Sequence, residues 1–388
     1  MKLKLPSSGE ACERFQELLA HEKTCNPREV NKPLILYGAG DLGKLAKDYF
    51  ENIGIPFMYV VDAHPERYLG SSTWKDIRIL SPEEVPFEDK NNCLLSICIA
   101  TSSYKSITEP LLKDGWRDVV HFYDISEAYI ERYPLGNGWL CGTLDSDDIK
   151  ETEYVLSNWS DDISRAHHLH FIAWHKLRKE LIFDGAPITI DNRFFIPQIL
   201  SSLHKKEVFI DGGAYHGDVS LRFIKIAKDI PVKIIAIEPD HYNINMLNAR
   251  LNDSENPIPA QINIIECALG NKAEKGNFLH GLGYASQLSP NGNDLVEVKT
   301  LDEMDIPSTF IKFHLEGGEY NALLGSMIVI NRYRPLLAVT TYHNRDGLWR
   351  TPSLLMKNLA DYVFLLRLHS WSGTGCVLYA IPNEIYKF

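Results

Sequence analysis

The sequence predicts an α/β protein built from two Rossmann-like domains. Two separate stretches place an apolar strand, a glycine-rich turn and an amphipathic helix in succession, one beginning near residue 33 and the other near residue 207. In each stretch a second apolar strand follows and ends at an acidic residue. This order is typical of open parallel sheets, which bind ligands beyond the carboxyl ends of their strands.

The composition sets the class of protein. The chain has 388 residues, of which 45% are hydrophobic and 23% are charged, as in soluble globular proteins of about two domains. Its net charge of −11 argues against a nucleic acid or an anionic membrane as main partner. The seven cysteines form no C-x-x-C pair, and neither a signal peptide nor a membrane span is visible. We therefore expect a cytoplasmic location.

Four segments follow from the pattern along the chain. We expect an N-terminal helix or arm (1–30), a nucleotide-binding-type domain (31–130), a helical linker (131–200) and a C-terminal domain (201–388). Apolar residues at helical spacing over 9–22 predict an amphipathic helix packed on the first domain.

The first domain carries a dinucleotide-type turn. Residues 33–37 predict a strand, after which Gly38, Gly40 and Gly43 fit the G-x-G-x-x-G pattern, and Asp62 closes the next strand. The spacing predicts a Rossmann-like fold. It leaves the ligand open: NAD(P), a nucleotide-sugar, or nothing, with the glycines serving only the turn. The domain is short for a full dinucleotide domain, which weakens the dehydrogenase interpretation.

The linker is unusually rich in aromatic residues and histidine. A helix is predicted over 163–181, after a loop containing Gly136, Gly138 and Gly142. His167 and His170 are three residues apart and could share a helix face, but no third ligand stands out. We therefore expect this helix to pack its aromatic residues between the two domains.

The second domain alternates strands and helices from residue 207. Its glycine turn follows the strand 207–211, and Glu238 ends the next strand, a position where an acid commonly binds ribose hydroxyls. Further strands are predicted at 261–267, 276–280, 296–300, 309–313, 336–341, 361–368 and 376–382, and helices at 218–229, 241–252, 319–330 and 352–359. The last two strands predict a hairpin at the sheet edge.

Five short motifs occur in order in this half of the chain. They are D-G-G-A-x-x-G-D at 211–218, E-P at 238–239, A-L-G at 268–270, K-x-x-x-E-G-x-E at 312–319 and R-P-x-L-A-V at 334–339. With these motifs, residues 200–382 resemble the FkbM-type S-adenosylmethionine (SAM)-dependent methyltransferases. The resemblance implies a class I SAM methyltransferase fold with a mostly parallel seven-stranded sheet, whose terminal hairpin reverses one strand.

The resemblance also implies a cofactor site. The residues it places around SAM are Asp211, Gly212, Gly213, Ala214, Gly217, Glu238, Cys267 and Ala268. The glycines would border the methionine part, and Asp211 would hold the loop or the amino group. Glu238 would bind the ribose hydroxyls, and Cys267 and Ala268 would flank the adenine.

Methyl transfer to a hydroxyl needs a base as well as alignment. The catalytic candidates are His314, Glu316 and His343, with Glu319 and Asp346 as further acids nearby. Members of the family usually have an aspartate where this chain has His314. Histidine keeps the capacity to act as a base near neutral pH but weakens an all-carboxylate Mg²⁺ site. No metal site is predicted.

Several roles stay open at this stage. Glu316 either orients the acceptor or caps the helix that follows. Lys312 is expected to pair with Glu316 or Glu319 in a structural role. Tyr215 and His216 lie in the cofactor loop and could face SAM or the acceptor.

The sequence thus favours a SAM-dependent methyltransferase that O-methylates a hydroxyl of a sugar, glycan or secondary metabolite. The acceptor class rests on the resemblance alone. Two alternatives remain: an NAD(P)- or nucleotide-sugar-using enzyme centred on the first domain, and a non-catalytic binding protein with a SAM-type fold. The expected partner is a small-molecule or glycan acceptor, and a homo-oligomer is left open.

Overall fold

The computed structural model describes residues 2–21, 26–135, 143–251 and 261–387. It confirms a mixed α/β fold with parallel sheets. The predicted glycine loop lies outside the described residues at Gly136, Gly138 and Gly142. Among the described helices, none has both the length and the apolar character needed to cross a bilayer.

The regular elements alternate along the described chain. The helices are α1 (Ser8–Ala20), α2 (Asp41–Asn52), α3 (Phe87–Asn92), α4 (Tyr104–Lys113), α5 (Phe122–Ala128), α6 (Ser146–Asn158), α7 (Asp162–Leu177), α8 (Pro197–Ser201), α9 (Asp218–Ile226), α10 (His241–Leu251), α11 (Leu301–Met304), α12 (Glu319–Leu324), α13 (Met327–Tyr333) and α14 (Arg350–Asn358). The strands are β1 (Leu34–Tyr37), β2 (Val60–Val61), β3 (Ile79–Leu80), β4 (Leu94–Ile97), β5 (Val119–His121), β6 (Glu207–Gly212), β7 (Val232–Ile237), β8 (Gln261–Ile265), β9 (Ala268–Leu269), β10 (Glu274–Leu279), β11 (Gln287–Leu288), β12 (Asp294–Lys299), β13 (Phe310–Phe313), β14 (Leu336–Thr340), β15 (Tyr362–Leu368) and β16 (Cys376–Pro382).

The first half of the chain forms a five-stranded parallel sheet. Its order is β3-β2-β1-β4-β5, so the chain starts in the middle and crosses over to the other side after β3. All four residues of β4 are buried because helices cover both faces of the sheet. The glycine turn after β1 lies at the centre of the sheet, at the carboxyl end of that strand.

The second half forms a seven-stranded sheet of order β15-β16-β14-β13-β6-β7-β8. The five strands from β14 to β8 are parallel. Strand β16 runs antiparallel to both β14 and β15, which confirms the predicted terminal hairpin at the sheet edge. The carboxyl ends of β6, β7, β13 and β14 therefore meet at one edge of the sheet.

A smaller sheet of order β11-β10-β12-β9 lies beside the large one. The antiparallel pair β10 and β12 was expected from the sequence, and it pairs over five residues. Strands β9 and β11 were not expected, because each has only two residues and pairing supplied by distant strands defines them.

Helix α7 packs against both halves of the molecule, as the aromatic-rich pattern predicted. Trp174 belongs to the core of the first half, whereas Leu169 and Ile172 belong to the core of the second. Two buried histidine rings bond inside the protein: Nδ1 of His168 accepts from the Trp159 indole at 3.1 Å, and Nδ1 of His170 lies 2.9 Å from the Leu181 carbonyl. These rings are part of the core.

Helix α1 does not pack on the first domain, so that expectation is wrong. It contacts α6 and α7, and Phe15 is buried in the same core as Val155 and Leu169. The apolar spacing of α1 correctly indicates that one face is buried. It carries no information about which apolar surface, more than a hundred residues away along the chain, covers that face.

The predicted helix 319–330 is two helices, α12 and α13, that separate at Gly325 and Ser326. A side chain at Gly325 would lie 2.1 Å from the carbonyl oxygen of Gly270, so only glycine lets the chain turn this close to the end of β9.

Candidate functional site

A cavity of about 830 Å³ lies beyond the carboxyl ends of β6, β7 and β13. It brings together seven of the predicted site residues: Gly213, Ala214, Glu238, Cys267, Ala268, His314 and Glu316. Asp211, Gly212 and Gly217 lie directly behind this lining, and His343 contacts Glu316 from the neighbouring strand end. The cofactor and catalytic candidates therefore share one site.

The glycine turn after β6 depends on glycine at two positions. Gly213 and Gly217 have φ values of +72° and +82°, which residues with a side chain rarely adopt. A Cβ atom at Gly213 would lie 2.0 Å from the carbonyl oxygen of His314. The turn can therefore press against the end of β13, and Gly217 then begins α9.

A buried ion pair holds this turn in place. Nζ of Lys312 lies 2.9 Å from a carboxylate oxygen of Asp211, and both side chains are buried. The same ammonium group donates to the carbonyl oxygens of Gly212 and Gly213, while Ser220 donates to Asp211 at 2.6 Å. Asp211 thus holds the loop, and the expected pairing of Lys312 with a downstream glutamate is wrong.

Glu238 joins the turn to the end of β7. Its Oε2 accepts the Tyr215 N–H at 2.9 Å, and its Oε1 accepts the Asp240 N–H and the Asn243 side-chain amide at 3.0 and 3.2 Å. Burial raises the pKa of Glu238 although these bonds act against the rise. The carboxylate therefore shapes the turn and presents one edge to the cavity.

Cys267 and Ala268 form an apolar wall after β8. Both are buried, and Leu269 and Phe278 extend the same side of the cavity. Burial raises the pKa of Cys267 to about 11, so its side chain stays an uncharged thiol at neutral pH. A flat apolar group fits such a wall better than a charged one.

The catalytic candidates form a compact cluster. One carboxylate oxygen of Glu316, Oε1, lies 3.0 Å from Nε2 of His314 and 3.4 Å from Nε2 of His343. The two imidazole rings stack with centroids 5.1 Å apart. Glu316 has a φ of +48°, which is uncommon outside glycine and often marks functional sites.

Glu319 supports this cluster from behind. Its Oε1 lies 2.6 Å from Nδ1 of His343 and accepts hydrogen bonds from the Thr340 hydroxyl at 2.7 Å and the Leu315 N–H at 2.9 Å. Glu319 is thus the acid that satisfies the backbone at the start of α12. Glu316 is left free of that role and faces the two histidines.

The local charges differ from one residue to the next. Burial lowers the pKa of His314 to about 4, so its ring is neutral at pH 7. Burial alone would raise the pKa of Glu316 and of Glu319, but the adjacent His343 holds the first well below its usual range and the second at about 2. Burial opposes the charged form of His343, yet the two carboxylates raise its pKa well above the usual value. The two carboxylates therefore favour the charged form of His343, which makes it a poor base.

Two residues that the sequence analysis did not select complete the network. The Arg193 guanidinium donates to the Tyr342 hydroxyl at 2.8 Å, and that hydroxyl lies 3.1 Å from Nε2 of His314. The position of Tyr342 directly before His343 was a usable signal, because both residues follow the end of β14 at Thr340. Arg193 lies 149 residues away in sequence, and no local pattern links it to the site.

Three other residues that the sequence singled out lie away from the cluster. Asp346 is in an ion pair with Arg350 at 2.8 Å, on the first turn of α14. Tyr215 lines the cavity, whereas His216 stacks on its outer side with ring centroids 3.7 Å apart. Tyr215 is therefore the loop residue that can contact a ligand.

The glycine turn of the first half is closed by its own contacts. One Asp62 oxygen accepts the Ala39 N–H at 2.8 Å, and the Trp74 indole donates to the Ala39 carbonyl at 3.1 Å. A Cβ atom at Gly43 would lie 2.0 Å from the carbonyl oxygen of Gly38, so α2 packs tightly on the turn. The glycines serve this packing, and nothing here favours NAD(P) or a nucleotide-sugar.

The first half instead supplies one wall of the large cavity. Its contribution comes from the outer side of α2 and from the segment after α5, with Asp41, Lys44, Asp48, Asn52 and Tyr133 among the lining residues. This wall is polar, in contrast to the apolar wall at Cys267. The cavity therefore has one side suited to an adenine-like group and another suited to a hydroxylated molecule.

Comparison with known proteins supports a methyltransferase as the class of protein. Residues 211–366 match the model of the methyltransferase FkbM domain. This part of the chain is therefore similar to the methyltransferase FkbM domain.

The comparison with solved structures gives two matches to report. The crystal structure of the methyltransferase FkbM from Methylobacillus flagellatus KT matches with 18% identity and a TM-score of 0.56, over 95% of this chain and 93% of that one. A methyltransferase from Podospora anserina, PaMTH1, solved with S-adenosylhomocysteine bound, matches with 11% identity and a TM-score of only 0.30, over 63% of this chain and 89% of that one. No curated protein matches this chain in the sequence comparison. The first match shows that the fold of both halves is shared.

Proposed function

We propose that this protein is a SAM-dependent O-methyltransferase acting on a hydroxyl of a sugar, glycan or secondary metabolite. One observation carries the proposal. The glycine turn, Glu238 and the His314–Glu316–His343 cluster open into one cavity at the carboxyl edge of the parallel strands. A nucleoside cofactor and an acceptor hydroxyl can therefore meet there.

The residues on the β7 side fit the cofactor. Glu238 would bind the ribose, because its Oε2 accepts one hydrogen bond within the described residues and a carboxylate oxygen has room for a second. Cys267 and Ala268 would flank the adenine, and the glycine turn would border the methionine part. SAM, when bound, supplies an activated methyl group on its sulfonium sulfur.

The residues on the β13 side fit the acceptor. His314 and Glu316 reach the cavity, and the polar wall of α2 lies across from them with Lys44 and Asp48. Hydrogen-bonding groups on such a wall suit a molecule with several hydroxyls. The chain contributes alignment of the acceptor oxygen beside a polar cluster.

Cofactor binding is the direct test. Isothermal titration of the full chain with SAM and with S-adenosylhomocysteine should show one site for each ligand. Glu238→Gln should bind both at least tenfold more weakly, because it replaces an acceptor oxygen with a donor. Glu266→Gln is the matched control, since Glu266 is exposed and pairs with His241 at 2.7 Å. If the wild-type chain binds neither ligand, the proposal fails.

A further inference from the structure

We propose that His314, Glu316 and His343 form a binding site for one divalent transition metal ion of the Zn²⁺, Co²⁺, Mn²⁺ or Fe²⁺ class. Their ligand atoms, two imidazole nitrogens and one carboxylate oxygen, all lie within 4.8 Å of one another. Across the described ranges, no other group of three or more such side chains meets this spacing. The proposal revises the expectation that the site holds no metal.

The spacing of the donor atoms matches a shared ion. Oε1 of Glu316 lies 3.0 Å from Nε2 of His314 and 3.4 Å from Nε2 of His343. Bonds of about 2.0–2.2 Å from one metal to each ligand separate neighbouring ligand atoms by roughly 2.9–3.5 Å, for angles between octahedral and tetrahedral. Both distances from Oε1 of Glu316 fall in this range.

A second observation concerns the hydrogen bonding of His343. Among the residues that the structure describes, its buried Nε2 makes no hydrogen bond of good geometry, although Oε1 of Glu316 lies 3.4 Å away, and the whole residue is only 4% exposed. Buried polar atoms without a partner are uncommon, and a bound ion is one of the recognised reasons for one. The lone nitrogen faces the two other members of the cluster.

Glu319 orients the ring of His343 in the way that a histidine bound to a metal ion is usually oriented. Glu319 lies 2.6 Å from Nδ1 of His343, and Thr340 and the backbone of Leu315 hold that carboxylate in place. Ligand histidines usually donate their second ring N–H to such an oxygen, which fixes the tautomer and the ring orientation. Glu319 is thus a positioning residue for Nε2 of His343.

The donor set selects the class of ion. Mg²⁺ prefers oxygen ligands in near-octahedral geometry, and two imidazoles are a poor match for it. Two histidines and one carboxylate suit Zn²⁺ and other first-row transition metals.

The role of this ion rests on the proposed function. Three protein ligands leave coordination positions open, and His314 and Glu316 place them on the cavity side. An acceptor hydroxyl oxygen would fill one of these positions and would lose its proton to solvent more readily there. Its lone pair then forms the bond to the methyl carbon as the carbon–sulfur bond breaks, and the sulfur keeps the electron pair of that bond.

Metal binding is tested without SAM or acceptor. The EDTA-treated full chain is titrated with Zn²⁺, Co²⁺, Mn²⁺ and Mg²⁺ and followed by calorimetry and by the absorption of Co²⁺. We expect one site for the transition metals and at least hundredfold weaker binding of Mg²⁺. Glu316→Gln and His343→Ala should weaken Co²⁺ binding at least a hundredfold, and Glu319→Gln about tenfold. His241→Ala is the matched control, because this exposed histidine also pairs with a glutamate but has no third ligand.

Two results would overturn the proposal: no stoichiometric binding to the wild-type chain, or unchanged binding to both Glu316→Gln and His343→Ala. If these variants do not fold by circular dichroism, X-ray absorption of the Zn²⁺-loaded wild type decides, since the site requires two imidazole ligands. SAM titration of the metal-free chain is the separate arm. Metal binding without SAM binding refutes only the proposed function, and SAM binding without metal binding refutes only this inference.

Discussion

At the scale of single residues, the site is built from charges that offset one another in buried positions. Lys312 and Asp211 form one such pair under the glycine turn, and His343 lies between two carboxylates beside it. A buried charge is tolerated where a partner is present, and the loss of one partner leaves the other at full desolvation cost. The first prediction concerns the pair under the turn.

Lys312→Met should lower the free energy of unfolding by about 3–5 kcal/mol, because Asp211 would remain buried without its cation. Urea denaturation at pH 7 measures this change. The double variant Asp211→Asn with Lys312→Met should recover part of the loss, since no buried charge is left unpaired. A single variant within about 1 kcal/mol of the wild type would contradict this account.

At the scale of elements, the geometry of the glycine turn and the attachment of α7 decide how the site is held. The turn after β6 fits only because Gly213 lacks a side chain where it meets the end of β13. Helix α7 is attached to the edge strand β15 through Asp161, which accepts the N–H of Ser164 and pairs with Arg367 at 2.6 Å. Each junction gives a prediction.

Gly213→Ala should lower the free energy of unfolding several times more than Gly281→Ala does. Both glycines have positive φ, at +72° and +79°, so both variants bear the backbone cost of about 1–2 kcal/mol. Only at Gly213 would the new methyl group meet backbone, at 2.0 Å from the carbonyl oxygen of His314, whereas nothing lies within 4 Å at Gly281. Thermal unfolding of the two variants side by side makes the comparison. Equal losses would show that the turn can shift.

Asp161→Asn removes only the negative charge at the junction of α7 with β15, because asparagine can still cap the helix. Burial opposes the charged form of Asp161, but Arg367 and Ser164 lower its pKa below the usual value. A lowered folded-state pKa adds stability above the unfolded value, about 3.9, and that stability is lost as the pH falls below it. The free energy of unfolding of the wild type should exceed that of the variant by a constant margin from pH 5 to 7. This margin should shrink toward pH 3. Urea denaturation across this range would refute the assignment if the margin stayed constant.

At the scale of the whole molecule, the site depends on how the two halves are docked. Arg178, which ends α7 with a φ of +53°, places its guanidinium 2.5 Å from Asp124 in the first half. The terminal hairpin adds contacts, since the Trp371 N–H donates to the Ala100 carbonyl at 2.9 Å. These contacts hold α2 across the cavity from His314.

Arg178→Met should loosen the first half, because the pair with Asp124 is almost fully buried. Hydrogen exchange should rise in α5 and β5 while the central strands β6 and β13 keep their protection. Arg165→Met is the control on the same helix, since Arg165 pairs locally with Asp162 at 2.6 Å. A uniform rise in exchange over the whole chain, or none, would contradict the docking role.

The sequence by itself determined the strand ends and the residues that follow them. Gly213, Glu238, Glu316 and His343 were predicted because apolar periodicity locates each strand, and parallel strands bring their carboxyl ends to one edge. The family resemblance was visible for the same reason, since its motifs lie in these local turns. The G-x-G-x-x-G turn of the first half was located correctly too, although its contacts are internal.

Only the tertiary structure decided which residues that are distant in sequence contact one another. Three contacts join residues about 100 or more positions apart in sequence. They are the pairing of Lys312 with Asp211, the contact of Arg193 with Tyr342, and the packing of α1 on α6 and α7. Local propensity and spacing describe one element at a time, whereas these contacts depend on how separate elements pack. The three donor atoms of the proposed metal site come together for this reason, because two strand ends 27 residues apart in sequence are neighbours in the sheet.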